Sequence, residues 1–283
     1  MRRCALPTRV IAKPPKLHIE GTLISTDRRN EQILEFFPSI EELQTRILRT
    51  RVPLAQDAIH IWRTALSAIT PVSEELKAVI SADELTRSER FLFPDLRKGF
   101  IAGRALLRLI LANYCNCEPE DLRFTYGGSQ KPGIESNGRL SQTVAFNLSH
   151  SADAIQIAIA AEGPVGIDVE HLGRKPDLDA LLAECLTVEE ERSVSRMDAP
   201  QHQQAFLRYW VHKEAFLKCI GCGFSVCPKA VFVSFCENGS SVIRCPVQMA
   251  DVVLFGRDVP CGAGYIAAVA SNRRECLLQS FVL

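Results

Sequence analysis

Three things are missing from this sequence. There is no excess of charge: Lys plus Arg number 33, as do Asp plus Glu, so the 283 residues carry a formal net charge of zero. A chain with no basic surplus is a poor nonspecific binder of nucleic acid, because that affinity comes from neutralising phosphates. No apolar run reaches the roughly 18 residues of a membrane helix. Nor is there a glycine-rich GxxxxGK loop, which sets the P-loop ATPases aside.

Cysteine is plentiful, with 11 residues between Cys4 and Cys276, but the odd count and scattered spacing are not those of a small disulfide framework. Reduced thiols in a cytoplasmic protein follow. Cys219 and Cys222 form a CxxC, yet Cys227 and Cys236 lie too far apart to make the second close pair of a zinc knuckle. The opening stretch MRRCALPTRVIAKPPKLH is basic, with no acid before Glu20, and Pro7, Lys13, Pro14 and Pro15 interrupt any apolar signal core. A disordered, proline-containing leader is predicted rather than a secretory signal.

What is present fits one large domain or two of ordinary size. Residues 1–55 read as an N-terminal extension with one helix, IEELQTRIL, capped by Ser39 and Glu42. DAIHIWRTAL, from Asp57, reads as the first strand of the main body. Ser81 and Glu84 make a capping box ahead of a long core helix over Leu96–Tyr114, where apolar residues recur at helical spacing. The basic residues of the segment that follows the capping box, among them Arg87 and Arg104, are either a solvated basic face or an anion site. The loop GGSQKPG leaves its backbone free to approach a ligand, and Pro132 holds Lys131 extended. TVAFNLSHS, AIQIAIAA and VGIDVE follow as three short strands, predicted to form an antiparallel meander. Thr187 and Glu190 cap a helix. A longer one, QHQQAFLRYWVHKEAFLKCIG, starts at Asp198–Pro200 and is ended by Gly221 and Gly223. AVFVSF, SVIRC, DVVLF and GYIAAVA then read as the strands of a second sheet. The division predicted is 1–55 extension, 56–165 first α+β subdomain and 166–283 second α+β subdomain.

The stretch VGIDVE deserves separate treatment because side chains alternate along a strand. Gly166, Asp168 and Glu170 share one face, and Val165, Ile167 and Val169 the other. Two acids one pleat apart repel unless a proton or a cation lies between them, which is how a magnesium site begins. The plainer reading is an edge strand with a solvated acidic face. On the long helix, Glu214 and Lys218 stand four residues apart and read either as a surface ion pair or, given Phe206, Tyr209 and Trp210 packing the helix down, as a carboxylate at the core boundary that a metal would relieve.

VGIDVE followed by WVHKEAFLK some forty residues later resembles the paired signature of the Sfp-type 4'-phosphopantetheinyl transferases. RFLFPDLRKGFIAGRALLR, the Lys131–Pro132 dipeptide and FNLSHS also match, so the resemblance runs from about Ile59 to the C-terminus. Val211 departs from the small or hydroxyl residue many members carry. The resemblance implies an α+β fold of two similar subdomains about a pseudo-twofold axis, with coenzyme A bound between them. It implies magnesium held by Asp168, Glu170 and Glu214, though some members lack an acid at the position of Glu170. Lys131, Ser149 and His150 would hold the adenosine 3'-phosphate and neighbouring groups, Arg87 a further phosphate, and Lys213 and Lys218 the pyrophosphate. The implied reaction is attack by a carrier-protein serine on the β-phosphate of coenzyme A, releasing adenosine 3',5'-bisphosphate. Glu214 or a metal-bound water would take the serine proton, and Lys218 would assist. The partners expected are apo acyl or peptidyl carrier proteins, of fatty-acid, polyketide or nonribosomal-peptide type, met by a cytoplasmic monomer. Two rivals are weaker. A metal-dependent nuclease would place a lysine two residues after an acid on one strand, and a non-catalytic coenzyme A or carrier-binding regulator would show a damaged acid set.

Overall fold

Two helices of 22 residues each, α5 (Pro94–Cys115) and α8 (Ala199–Ile220), cover the outer faces of two β-sheets that pack on each other. The structure is a computed structural model, and it describes residues 39–50, 53–69, 73–126, 131–135, 144–173, 178–247 and 250–283. The predicted leader and the glycines of the GGSQKPG loop, Gly127 and Gly128, lie outside the described residues.

With strands numbered in chain order, the first sheet runs β11 (Leu277–Val282), β1 (Ala58–Ala65), β5 (Ala154–Ala160), β4 (Ala145–Ser151). The second runs β6 (Val165–His171), β10 (Tyr265–Ser271), β9 (Ala250–Asp258), β8 (Ser240–Val247), β7 (Phe232–Phe235). A small separate pair joins β2 (Phe124–Tyr126) to β3 (Pro132–Ile134). Strand alternation builds the layers. On β1, Trp62 faces the core beneath α5, whereas Ile59 and Ile61 face Ile167, Val169 and Val269 of the second sheet. On β10, Ala267 and Val269 face the first sheet and Ala270 faces α8. The result is a helix, sheet, sheet, helix stack.

Each half repeats one order of parts. The first runs β1, α2 (Leu66–Ile69), α3 (Ser73–Val79), the capped α4 (Ala82–Ser88), α5, a 3-10 turn at Pro119–Asp121 and then strands, of which β5 returns to pair antiparallel with β1. The second runs β6, α6 (Leu178–Cys185), the capped α7 (Val188–Ser195), α8, 3-10 turns and then strands, of which β10 returns to pair antiparallel with β6. Both long helices have a proline in the first turn, and both end on a left-handed residue, Asn116 at φ 53° and Gly221 at φ 72°.

The halves also share an internal anchor. Arg108 stands 14 residues beyond Pro94, and Lys213 stands 14 beyond Ala199. Arg108 pairs with Glu84, the capping-box acid of α4, at 2.6 Å and donates to Pro119 O and Leu122 O around the following 3-10 turn. Lys213 pairs with Glu190, the capping-box acid of α7, at 2.6 Å and donates to Pro228 O and Val231 O around its own 3-10 turn. In each half a buried cation thus ties three elements that a sequence window sees as unrelated.

Three expectations change. VGIDVE does not complete a meander with the preceding hairpin, because β1 already occupies the second edge of β5 and β6 crosses over to pair with β10. The helix assigned to the extension, α1 (Ile40–Arg49), belongs to the first core, where Leu43 and Ile47 are buried against α5, each contributing about 1.5–3 kcal/mol. Its cap is Ser39 Oγ accepting from Glu42 N–H. Finally, β11, which the sequence pattern leaves unassigned, adds parallel to β1 in the first sheet.

Candidate active site

The site forms where β4, β6 and α8 meet, and a glycine permits it. A Cβ at Gly166 would lie 2.0 Å from Ala215 O and 2.5 Å from Cys219 N, so only glycine lets the α8 backbone come this close to β6. That contact sets the helix so that Lys218 reaches Asp168 and Trp210 reaches Glu170. As expected, Gly166, Asp168 and Glu170 face the helix while Val165, Ile167 and Val169 lie in the core.

Asp168 is 5% exposed. Its Oδ1 accepts from Lys218 Nζ at 2.6 Å and from Ser149 Oγ at 2.9 Å. Ser149 Oγ in turn accepts from Lys218 Nζ at 2.9 Å and from Val169 N–H at 3.3 Å, so its one proton and both lone pairs are used. Lys218 therefore does not make the helix-surface pair with Glu214 that their spacing allows. It turns inward to β6 and keeps one N–H to spare. Glu170 accepts from Ser151 Oγ at 2.8 Å and from Trp210 Nε1 at 3.3 Å.

The electrostatics are lopsided. Burial pushes the Asp168 carboxyl above its ordinary range, against the pull of Lys218. Burial, then the nearby Asp168 charge, pushes Glu214 up as well. Asp168 Oδ2 and Glu214 Oε1 are both buried with no hydrogen-bond partner. A buried oxygen of this kind is costly, and a hard divalent cation is the ligand its chemistry suits. Among the described residues no group of three or more His, Cys, Asp or Glu side chains stands in a metal-holding arrangement. The acids with a buried, unpartnered oxygen are two, Asp168 and Glu214, and the charge of the first acts on the second.

Strand alternation separates two residues the sequence puts side by side. Ser149 faces β6, whereas His150 lines a hollow of about 210 Å³ with Arg87, Phe100, Tyr126 and Pro132. The surrounding protein and Lys218 lower the His150 pKa, with Glu170 and Asp168 opposing. Arg87 is exposed and lies 5.9 Å from the Phe100 ring and 6.0 Å from that of Tyr126. Lys131 donates to Val165 O and Cys219 O at 2.8 and 2.9 Å, bracing the start of β6 against the end of α8.

Lys213 is a correction. It is fully buried on the other side of α8, where Glu190, Cys185 O, Pro228 O and Val231 O present four acceptors to its three N–H groups. No donor is left for a pyrophosphate. Its neighbour in sequence, Glu214, faces the site because adjacent helix positions diverge by about 100°.

Sequence reasoning missed Asn147 and Ser151, and took Trp210 for packing alone. Asn147 Oδ1 accepts from Ile167 N–H at 2.9 Å, and Ser151 Oγ from His171 N–H at 3.1 Å. The available signal was the polar residue at every second position of FNLSHS. A different constellation, Ser241, His212 and Asp258, has hydrolase-like connections of 2.9 Å each. His212 and Ser241 are buried, and a Cβ at Gly256 would lie 2.3 Å from Ser241 Oγ, so no substrate reaches it. It fastens α8 to the second sheet. No described helix is long and apolar enough to cross a membrane.

Comparison with known proteins completes the description. A profile described as 4'-phosphopantetheinyl transferase superfamily matches residues 164–269, and one described as 4'-phosphopantetheinyl transferase, N-terminal, matches residues 67–162. The chain is 37% identical over 172 residues to the 4'-phosphopantetheinyl transferase HetI of Nostoc sp. (strain PCC 7120 / SAG 25.82 / UTEX 2576), spanning 61% of this chain and 72% of that protein. It is 30% identical over 182 residues to the 4'-phosphopantetheinyl transferase psf-1 of Bacillus pumilus, spanning 64% of this chain and 75% of that one. With both halves of the fold matched and the paired acids held between β6 and α8, the chain belongs to the 4'-phosphopantetheinyl transferase family.

Proposed function

We propose that this chain is an Sfp-type member that moves the 4'-phosphopantetheine arm of coenzyme A onto a serine of an apo carrier protein and releases adenosine 3',5'-bisphosphate. The observation that carries the reading is that Asp168 on β6 and Glu214 on α8 each bury an oxygen lacking a hydrogen-bond partner, with the Asp168 charge raising the Glu214 pKa and the ammonium of Lys218 on Asp168. Asp168 and Glu214, with Glu170 next to them, would hold magnesium, which when bound neutralises charge on the phosphate oxygens.

The chain's own groups account for the rest. Lys218, held by Asp168 and Ser149, has one N–H left for a phosphate oxygen. Glu214, with its pKa raised, is suited to accept the proton of the incoming serine, since a base works best when its pKa approaches the working pH. The hollow between Arg87 and His150 offers a cation and an aromatic wall to the nucleotide's 3'-phosphate end. Lys131 braces the start of β6, the strand that carries the acids, against the end of α8. Such phosphoryl transfers depend on positioning and charge neutralisation, and the arrangement supplies both.

The test is mass spectrometry of a panel of apo acyl and peptidyl carrier proteins after incubation with the chain, coenzyme A and magnesium. A gain of one phosphopantetheine arm on the carrier serine is expected. A panel that stays wholly unmodified overturns the proposal.

A further inference from the structure

The two sheets meet along β4 and β6 with no backbone ladder between them. Each is an edge strand of its own sheet, and an edge leaves a row of amides in need of acceptors. Here side chains fill the row. Asn147 Oδ1 takes the Ile167 amide, Ser149 Oγ the Val169 amide and Ser151 Oγ the His171 amide, at 2.9, 3.3 and 3.1 Å. The offset is 20 residues at every rung, so β4 and β6 run parallel with a fixed register. Two rungs extend into the acids: Ser149 donates to Asp168, and Ser151 donates to Glu170, whose other oxygen accepts from Trp210.

We infer that Asn147 and Ser151 are positioning residues for the transfer reaction, fixing β6 against β4 so that Asp168 and Glu170 are presented at one set distance from the Arg87 and His150 hollow. The inference rests on the transferase reading above. The β6–β10 ladder already fixes the face of β6 on which Asp168 and Glu170 lie; what it leaves open is how β6 sits along β4. In a backbone ladder that register is held by many bonds at once. At this seam the position of β6 along β4 is held by three side chains; Ser151 acts through β6 and Glu170, whereas Asn147 also lines the hollow with Arg87 and His150. Ser151 must accept from an amide and donate to a carboxylate together, which a hydroxyl does and an alanine does not.

The experiment uses the full chain with coenzyme A, magnesium and an apo carrier that the wild type modifies. For Ser151→Ala and Asn147→Ala, kcat is expected to fall about 10- to 100-fold, the scale of small misplacements, and for Ser151→Ala KM for coenzyme A changes little. The magnesium concentration for half-maximal rate is expected to rise. Ser151→Thr, which keeps the hydroxyl and suits a strand, should recover most of kcat. A merely structural role would lower the melting temperature without this split and without hydroxyl-dependent rescue. If Ser151→Ala does not fold, Ser151→Cys carries the same expectation, since a thiol is a weak donor and acceptor. Wild-type kcat in both alanine variants, or equal losses in Ser151→Ala and Ser151→Thr, overturns the inference. Inactive wild type on every carrier overturns the transferase reading itself, so the two failures are distinct.

Discussion

The long helix of the first half and the long helix of the second carry a buried cation at the same place, and they diverge one residue later. After Arg108 comes Leu109, buried in the first core, whereas after Lys213 comes Glu214, at the edge of the site. Four residues on, Asn113 donates to Ile47 O at 3.4 Å, whereas Lys218 reaches across to Asp168. The acids differ in the same way. Glu84 is buried, but Arg104, the Ser81 amide and Arg108 outweigh that burial and hold its pKa down. For Glu214, burial and the Asp168 charge outweigh the pull of Lys218, and its pKa is raised. A satisfied buried carboxylate is architecture, and an unsatisfied one is a binding site waiting for charge.

Four measurements sharpen or break this comparison. The largest effect is expected at the site. Asp168→Ala should lower transfer by about 10²–10³-fold or more, the scale seen when a preorganised electrostatic group is removed, with a melting temperature close to wild type. Asn113→Ala, at the matching level of the first half, should stay near wild-type activity. Near-normal transfer by Asp168→Ala would refute the assignment.

Next come the paired anchors. Arg108→Met leaves Glu84 still paired with Arg104, whereas Lys213→Met leaves Glu190 buried without its cation, so urea unfolding should show a loss of about 3–5 kcal/mol for Lys213→Met and a smaller one for Arg108→Met. The loss at Lys213 is the point, because that residue lies in the WVHKEAFLK signature. A Lys213→Met protein as stable as wild type but deficient in coenzyme A binding would show that the parallel fails.

A smaller effect is expected at the contact unique to the second half. Gly166→Ala inserts a methyl where the α8 backbone already sits, costing about 1–3 kcal/mol and parting Glu214 from Asp168, so activity should fall further than stability. Activity matching wild type would mean that α8 is free to back away from β6 without consequence.

The smallest effect compares two histidines, one per half. Burial lowers the pKa of His60 beside Tyr114, and burial also lowers that of His212 despite the hydrogen bond to Asp258. Both are folded-state pKa values below the unfolded value of about 6.5, so the unfolded chain binds more protons in acid and stability is lost as pH falls through about 6.5. Each contributes a slope of up to about 1.4 kcal/mol per pH unit. His150, also lowered, adds to the same slope, so His60→Gln should remove about a third of it in urea midpoints between pH 8 and 5, and an unchanged slope would place the protons elsewhere.

Much of this was legible locally. The caps at Ser81 and Thr187, the stop at Gly221 and the common face of Asp168 and Glu170 follow from short-range hydrogen bonding and from strand and helix periods. The paired motifs then pointed to the right family. Lys213 is misplaced by sequence reading because the period of a helix says which side a residue takes, while its partners Cys185, Glu190 and Val231 lie 18 to 28 residues away along the chain. Asn147 and Ser151 were overlooked because their acceptor roles exist only where two edge strands face each other.

The sequence by itself determined most of the elements, the caps at Ser81 and Thr187 and the side of β6 on which the acids lie, since each depends on contacts within a few residues. The tertiary structure alone decided that β6 leaves its hairpin for β10, that β11 returns to β1, and that Glu214 is the acid left without a partner. Those outcomes turn on which edges and charges are already taken, and distant parts of the chain compete for them only once it has folded.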